Sequence, residues 1–128
     1  GDAHDRLAAN HDLVIVEGAG GWQVPLDGVS TFADWVAWRG WPVVLVVGLR
    51  LGCINHALLS AESIGRRTTL AGWIANRLPP PMLARDENEA DLRGLISAPC
   101  WGVMAEGAAD LVEEKTGFER WLAKAQAA

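Results

Sequence analysis

Apolar residues run along this chain in two rhythms. Residues 13–16 and 43–47 are short, continuous apolar runs rich in β-branched side chains, the pattern of strands buried on both faces, and residues 70–75 form a third candidate. Between them the spacing turns helical. Over residues 31–39 it places Phe32, Trp35, Val36 and Trp38 on one broad face, and over 54–64 it repeats Ile54, Leu58, Ala61 and Ile64. Beyond a proline-rich break at 78–81 the pattern predicts a polar helix over 83–96, a short strand over 99–104 and a closing amphipathic helix over 110–127, with Gly117 a weak point in it. Strand–helix alternation of this kind predicts an α/β fold, a parallel sheet joined by right-handed crossovers with helices on both faces.

The length of 128 residues suits one domain, and an apolar content of 50% suffices for a core. A formal charge of −5 and arginines scattered rather than striped argue against a nucleic-acid partner. The longest apolar stretch, 41–48, is interrupted by Pro42 and is too short to cross a bilayer, so no membrane partner and a cytoplasmic location are expected. Cys53 and Cys100 lack the paired spacing of a zinc site. The acidic residues Asp86, Glu87, Glu89 and Asp91 read as a solvated helix face, and Trp35, Trp38 and Trp41 as core or subunit-contact residues.

Three blocks carry candidate chemistry. In Val14-Ile15-Val16-Glu17-Gly18-Ala19-Gly20-Gly21-Trp22 an apolar run delivers a carboxylate into a glycine-rich turn. Ligands of open parallel sheets sit outside the carboxyl ends of the strands, and Mg²⁺ takes one or two carboxylates with phosphate oxygens and water, so Glu17 suits part of a metal site; it equally suits a plain strand end. The second block, Gly48-Leu49-Arg50-Leu51-Gly52-Cys53-Ile54-Asn55-His56, reads as a turn into a helix start. Its unpartnered amides could receive a phosphate or carboxylate, while Asn55 could instead cap the helix. His56 reads as a helix-end or packing residue, and Cys53 has no basic partner beside it in sequence. In the third, Leu70-Ala71-Gly72-Trp73-Ile74-Ala75-Asn76-Arg77, the Asn76 amide could read a purine edge or make a local turn bond.

Together, and in this order, the three blocks resemble the dethiobiotin synthetase family of P-loop NTPases, from about His11 to Glu106. The likeness includes Pro25-Leu26, Phe32-Ala33-Asp34-Trp35 and the run from Val46 to Ala57. It implies ATP-dependent closure of a cyclic urea, in which CO₂ forms a carbamate on 7,8-diaminopelargonic acid, MgATP phosphorylates it, and the neighbouring amine expels phosphate. It further implies Glu17 as a Mg²⁺ ligand, and Glu17, Gly18, Ala19 and Gly20 beside the nucleotide phosphates, with Gly20 also touching substrate. Gly52, Cys53, Ile54 and Asn55 would take the diaminopelargonate carboxylate across a homodimer interface. Asn76, with Arg77 beside it, would read adenine, and Ala105, Glu106 and Gly107 would form a later nucleotide-contacting turn. Two positions depart from the family pattern: Ala105 stands where proline is expected, and Arg77 where an acid is more usual.

No G-x-x-x-x-G-K-[ST] occurs in the 128 residues, and neither lysine precedes Glu17. Residues 1–128 are therefore expected to be the C-terminal portion of one P-loop NTPase-like domain, the P-loop half, a second lysine and a second metal-binding aspartate lying upstream. On that expectation this polypeptide does not turn over by itself. A non-catalytic dimerising or binding remnant of the family, and a related P-loop amidoligase or ATPase, are the competing expectations.

Overall fold

The apolar run after Pro42 forms the first strand of the sheet. A computed structural model describes residues 2–109, 111–113 and 116–127; Gly1, Asp110, Glu114, Lys115 and Ala128 lie outside the described residues. Its elements in chain order are α1 (Asp2–Ala8), α2 (Phe32–Arg39), β1 (Val43–Leu49), α3 (Cys53–Gly65), β2 (Leu70–Arg77), α4 (Arg85–Leu95), β3 (Cys100–Met104), β4 (Leu111–Glu113) and α5 (Thr116–Ala127). The sheet order is β1-β2-β3-β4; the first three strands are parallel, and β4 adds an antiparallel edge.

Because the three parallel strands advance in one direction, right-handed crossovers put both connecting helices on one face. Alternate residues Val47 and Leu49 of β1, Trp73 and Ala75 of β2, and Val103 of β3 form a buried core with Cys53 and Ala57 of α3 and Leu92 of α4. On the other face α5 packs over β2 and β3, where Trp101 packs on Phe118 and Trp121 with ring centroids 5.5 and 5.4 Å apart. Trp101 reaches that face because the β2–β3 register shifts between Trp73 and Ile74, and it lies on the bare backbone of Gly72: a Cβ there would be 2.1 Å from Trp101 Nε1. Gly117 works similarly inside α5, since a Cβ would approach Trp101 Cδ1 to 2.9 Å. Its helix-weakening effect is the cost of bringing α5 close to β3.

One expected strand does not form. Residues 13–16 make no ladder among the described residues, although β1 is an edge strand, and Ile15 is 82% exposed. A strand buried on both faces needs a bonded neighbour and cover above and below, and the apolar run alone provides neither. Val44 and Val46, on the β1 face turned away from α3, are exposed as well. The acidic helix face also needs correction: Glu89 of α4 is buried, drawn inward by two arginines. The expected helix over 110–127 starts only at Thr116, and the three-residue β4 ahead of it is too short to leave a periodic signature. No helix among the described residues is long and apolar enough to cross a membrane.

Candidate functional site at the carboxyl edge of the sheet

Three of the expected segments share one edge of the sheet. Gly48 of β1 lies opposite Asn76 of β2, and Asn76 lies opposite Met104 of β3, so the Gly52 turn, Asn76 and the turn at 105–108 leave neighbouring strand ends. That is the edge at which parallel sheets take ligands.

At the first of these ends Gly52, with φ +87, is the N-cap of α3 and offers no side-chain cap. The Cys53 amide donates to the Arg50 carbonyl at 3.0 Å and the His56 amide to Gly52 at 3.1 Å. The amides of Ile54 and Asn55 between them have no backbone acceptor among the described residues. Asn55 therefore sits inside the first turn rather than capping it. Two open N–H groups at the positive end of a 13-residue helix suit an anionic oxygen. Cys53 is buried in the core, and His56 is exposed.

Asn76 and Arg77 are adjacent in β2, so the pleat sends their side chains to opposite faces. Arg77 points to the α4 side, where its guanidinium donates to Glu89 at 3.2 Å, and Asn76 faces the side where Leu78 folds over Gly48. A Cβ on Gly48 would lie 2.8 Å from Leu78 Cδ1. The Asn76 amide makes no hydrogen bond within the chain among the described residues. At the third strand end, Ala105 accepts from the Ala108 amide at 3.0 Å, and Gly107 takes φ +70, so Ala105, Glu106 and Gly107 form a tight turn whose tip is exposed.

The Glu17 block is anchored away from this edge. Gly18 lies against the Phe32 ring, where a Cβ would be 2.9 Å from it, and Gly20 and Gly21 take φ +90 and +109. Trp22 Nε1 and Gln23 Nε2 both donate to Ser63 Oγ, at 3.1 and 2.8 Å. Ser63 is ten residues along α3 from Cys53, so the anchor of the glycine turn and the helix start are separated by about 15 Å of helix. Glu17 itself is exposed and makes no ion pair or hydrogen bond within the chain among the described residues. No group of three or more His, Cys, Asp or Glu residues suited to a metal ion occurs among the described residues. A single free carboxylate fits a Mg²⁺ that draws its other oxygens from phosphate and water.

The segment after the glycine turn is shaped by local bonds. Asp27 accepts the amides of Val29 and Ser30 at 2.7 and 2.6 Å; these bonds, that from Ser30 foremost, lower its carboxyl pKa. Thr31 and Asp34 then form a reciprocal capping box that starts α2. The Thr31 hydroxyl and amide, with the Arg67 guanidinium, bring the Asp34 carboxyl down to about 2 from its ordinary 3.8.

The carboxylate that sequence reading missed is Glu89. One oxygen accepts from Arg77 and the other from Arg93, each at 3.2 Å, and its side chain is 8% exposed. Arg93 one helical turn on was a visible i,i+4 partner. Arg77, from the end of β2, was not. Open clefts of about 380 and 400 Å³ lie instead around the C-terminal half of α3; neither is lined by a residue of the carboxyl edge, although Ser63 borders one.

This fold is of the α/β parallel-sheet class, and residues 2–115 match the family described as AAA domain, to which the chain belongs. Within that P-loop NTPase-like class it is similar to the ATP-dependent dethiobiotin synthetase BioD of Aromatoleum aromaticum, 55% identical over 103 residues that make up 80% of this chain and 46% of the relative. The protein of the same name from Pseudomonas paraeruginosa is 55% identical over 97 residues, 75% of this chain and 42% of the relative. That of Yersinia pestis is 47% identical over 100 residues, 77% and 42% of the two chains. The chain thus spans less than half the length of these relatives.

Proposed function

We propose that residues 1–128 are the carboxyl-terminal portion of an ATP-dependent dethiobiotin synthetase. The observation that carries this reading is the 55% identity to relatives of that name over four-fifths of the chain, together with the assembly of the Gly52, Asn76 and Ala105 segments on one sheet edge.

On this reading the reaction closes a cyclic urea. A carbamate formed from CO₂ and one amine of 7,8-diaminopelargonic acid is phosphorylated by ATP; the second amine attacks the carbamoyl carbon, its C–N bond forms, and the C–O bond to phosphate breaks. The open amides of Ile54 and Asn55, with the Asn55 side chain, hold the distal carboxylate of the substrate, fixing its length and direction. Asn76 offers a donor pair and an acceptor to the adenine edge, and the backbone of Ala105, Glu106 and Gly107 borders the base. Gly18, Ala19 and Gly20 allow close approach of phosphate and substrate. Glu17 would hold Mg²⁺, which supplies charge neutralisation at the transferring phosphoryl group.

Two features support completion of the site from outside one copy of these residues. The helix start and the anchor of the glycine turn lie at opposite ends of α3, and Leu51, beside the helix start, is 95% exposed. Both suit a homodimer in which one copy binds the carboxylate of the diaminopelargonate whose amines react on the other. The remaining phosphate-binding groups, P-loop included, are assigned to the part of the relatives' length that these residues do not span. The test is diaminopelargonate-dependent ATP hydrolysis and dethiobiotin formation by the full natural polypeptide, with residues 1–128 alone inactive. Hydrolysis indifferent to diaminopelargonate in the full polypeptide would sink the reading.

A further inference from the structure

The Glu89 clamp is a buried charged cluster with no part in the cyclisation chemistry. Its geometry is specific. Glu89 lies in the second turn of a helix packed under the sheet, and its two oxygens are divided between Arg93 of the same helix and Arg77 of β2. Arg77 is the last residue of β2 and comes directly after Asn76. A long flexible cation at a strand end would ordinarily lie in solvent; here it is drawn inward, its side chain 22% exposed and its Nε shielded from water without a partner among the described residues. Leaving that N–H unsatisfied costs free energy, which the paired charges offset.

In a strand one residue fixes the next, because successive side chains are locked to opposite faces. We infer that Glu89 is a positioning residue for nucleotide-base recognition: by pinning Arg77 to α4 it fixes the terminal pleat of β2 and so the direction in which Asn76 presents its amide. The inference rests on the reading of Asn76 as the base-reading residue. The Arg77 guanidinium acts through Glu89 and the strand and does not itself meet the base. The clamp also accounts for an arginine beside Asn76, since its partner lies beneath the strand in α4.

The experiment uses the full natural polypeptide and measures dissociation constants for ATP and GTP by calorimetry, with thermal melting alongside. Glu89→Gln is expected to weaken ATP binding about tenfold while GTP binding changes little, so that base preference narrows; general loosening of the fold would weaken both alike. Arg77→Gln leaves Glu89 still paired with Arg93, is the milder change for folding, and should narrow the preference equally. The double variant should add nothing further. Asn76→Ala separates the two ideas. If it abolishes the ATP preference while Arg77→Gln and Glu89→Gln leave the preference intact, the clamp is overturned and the base-reading role stands. If Asn76→Ala changes nothing, the base-reading role falls and the positioning role falls with it.

Discussion

The carboxyl edge of the sheet and the Glu17 segment were equally prominent in sequence, yet they are held in different ways. At the edge, each candidate group lies at or just beyond the end of a strand with a bonded neighbour, and the ladder from Val43–Leu70 through Leu49–Arg77 fixes the ends relative to one another. The Glu17 segment has no ladder; an indole and an amide bond to Ser63 and the capping box at Thr31 hold the residues after it. A strand end inherits its position from the sheet, whereas a turn beside an unpaired segment depends on a few side chains. Substitutions should therefore be absorbed differently in the two regions.

The largest effect should come from the less supported region. Glu17→Gln removes the carboxylate proposed to hold Mg²⁺, and in the full polypeptide it should lower diaminopelargonate-dependent turnover about a thousandfold, partly recovered at high Mg²⁺. A magnesium titration of turnover decides it. An unchanged Mg²⁺ requirement would leave Glu17 as a simple segment end.

Gly72→Ala strikes at the framework of the other region. With Trp101 Nε1 2.1 Å from the new methyl, the ring and α5 behind it must lift off the sheet. A loss of about 3 kcal/mol in denaturant unfolding is expected, at the upper end for overpacking, with a change in tryptophan emission. Stability within a few tenths of wild type would mean that α5 contributes little to holding β2 and β3.

Ser63→Ala sharpens the contrast from the opposite side. It deletes the shared acceptor of Trp22 and Gln23 at a cost of about 1 kcal/mol. Hydrogen exchange of amides 18–24 should quicken while those of β2 keep their protection. Equal quickening in both would show that the glycine turn and the sheet open together.

These differences explain what the sequence disclosed. Residues 43–47 and 70–75 were legible as strands because each is a short continuous apolar run, and 54–64 as a helix because Ile54, Leu58, Ala61 and Ile64 repeat at its period. Asn76 and the Gly52 turn were legible as strand-end groups for the same reason. Residues 13–16 carry the same apolar signal but not the partner, and apolar pattern records what a strand could bury rather than whether a neighbour bonds to it. Glu89 was misread because its neighbours Asp86, Glu87 and Asp91 are solvated, while the arginine that draws it inward is 12 residues away in sequence, across a chain reversal. Trp101 was hidden by a register shift, which moves a side chain to the other face without altering composition.

The smallest effect is a pH response at the start of α2. The folded Asp34 carboxyl titrates at about 2, below its ordinary 3.8, chiefly because it accepts from the Thr31 hydroxyl and amide, with Arg67 adding to this. A depressed acid contributes stability that is complete above the ordinary value and is lost as pH falls through the folded one. The capping box should therefore weaken between about pH 3.8 and 2. Because Asp34 is exposed, solvent screens the charge and the change should be small. Asp5 is also depressed to about 2, by Arg39 and His4, and Asp27 is lowered by the Ser30 and Val29 amides, so Asp34 is one of several sources of the acid response among the described residues. Thr31→Ala separates Asp34 from the others: it removes the largest cause at Asp34 and should return that carboxyl toward its ordinary value in a carboxyl NMR titration, leaving Asp5 and Asp27 where they were. If Asp34 stayed near 2 without the threonine hydroxyl, Arg67 would be its principal partner, and the start of α2 would be held by a long-range ion pair rather than by its own capping residue.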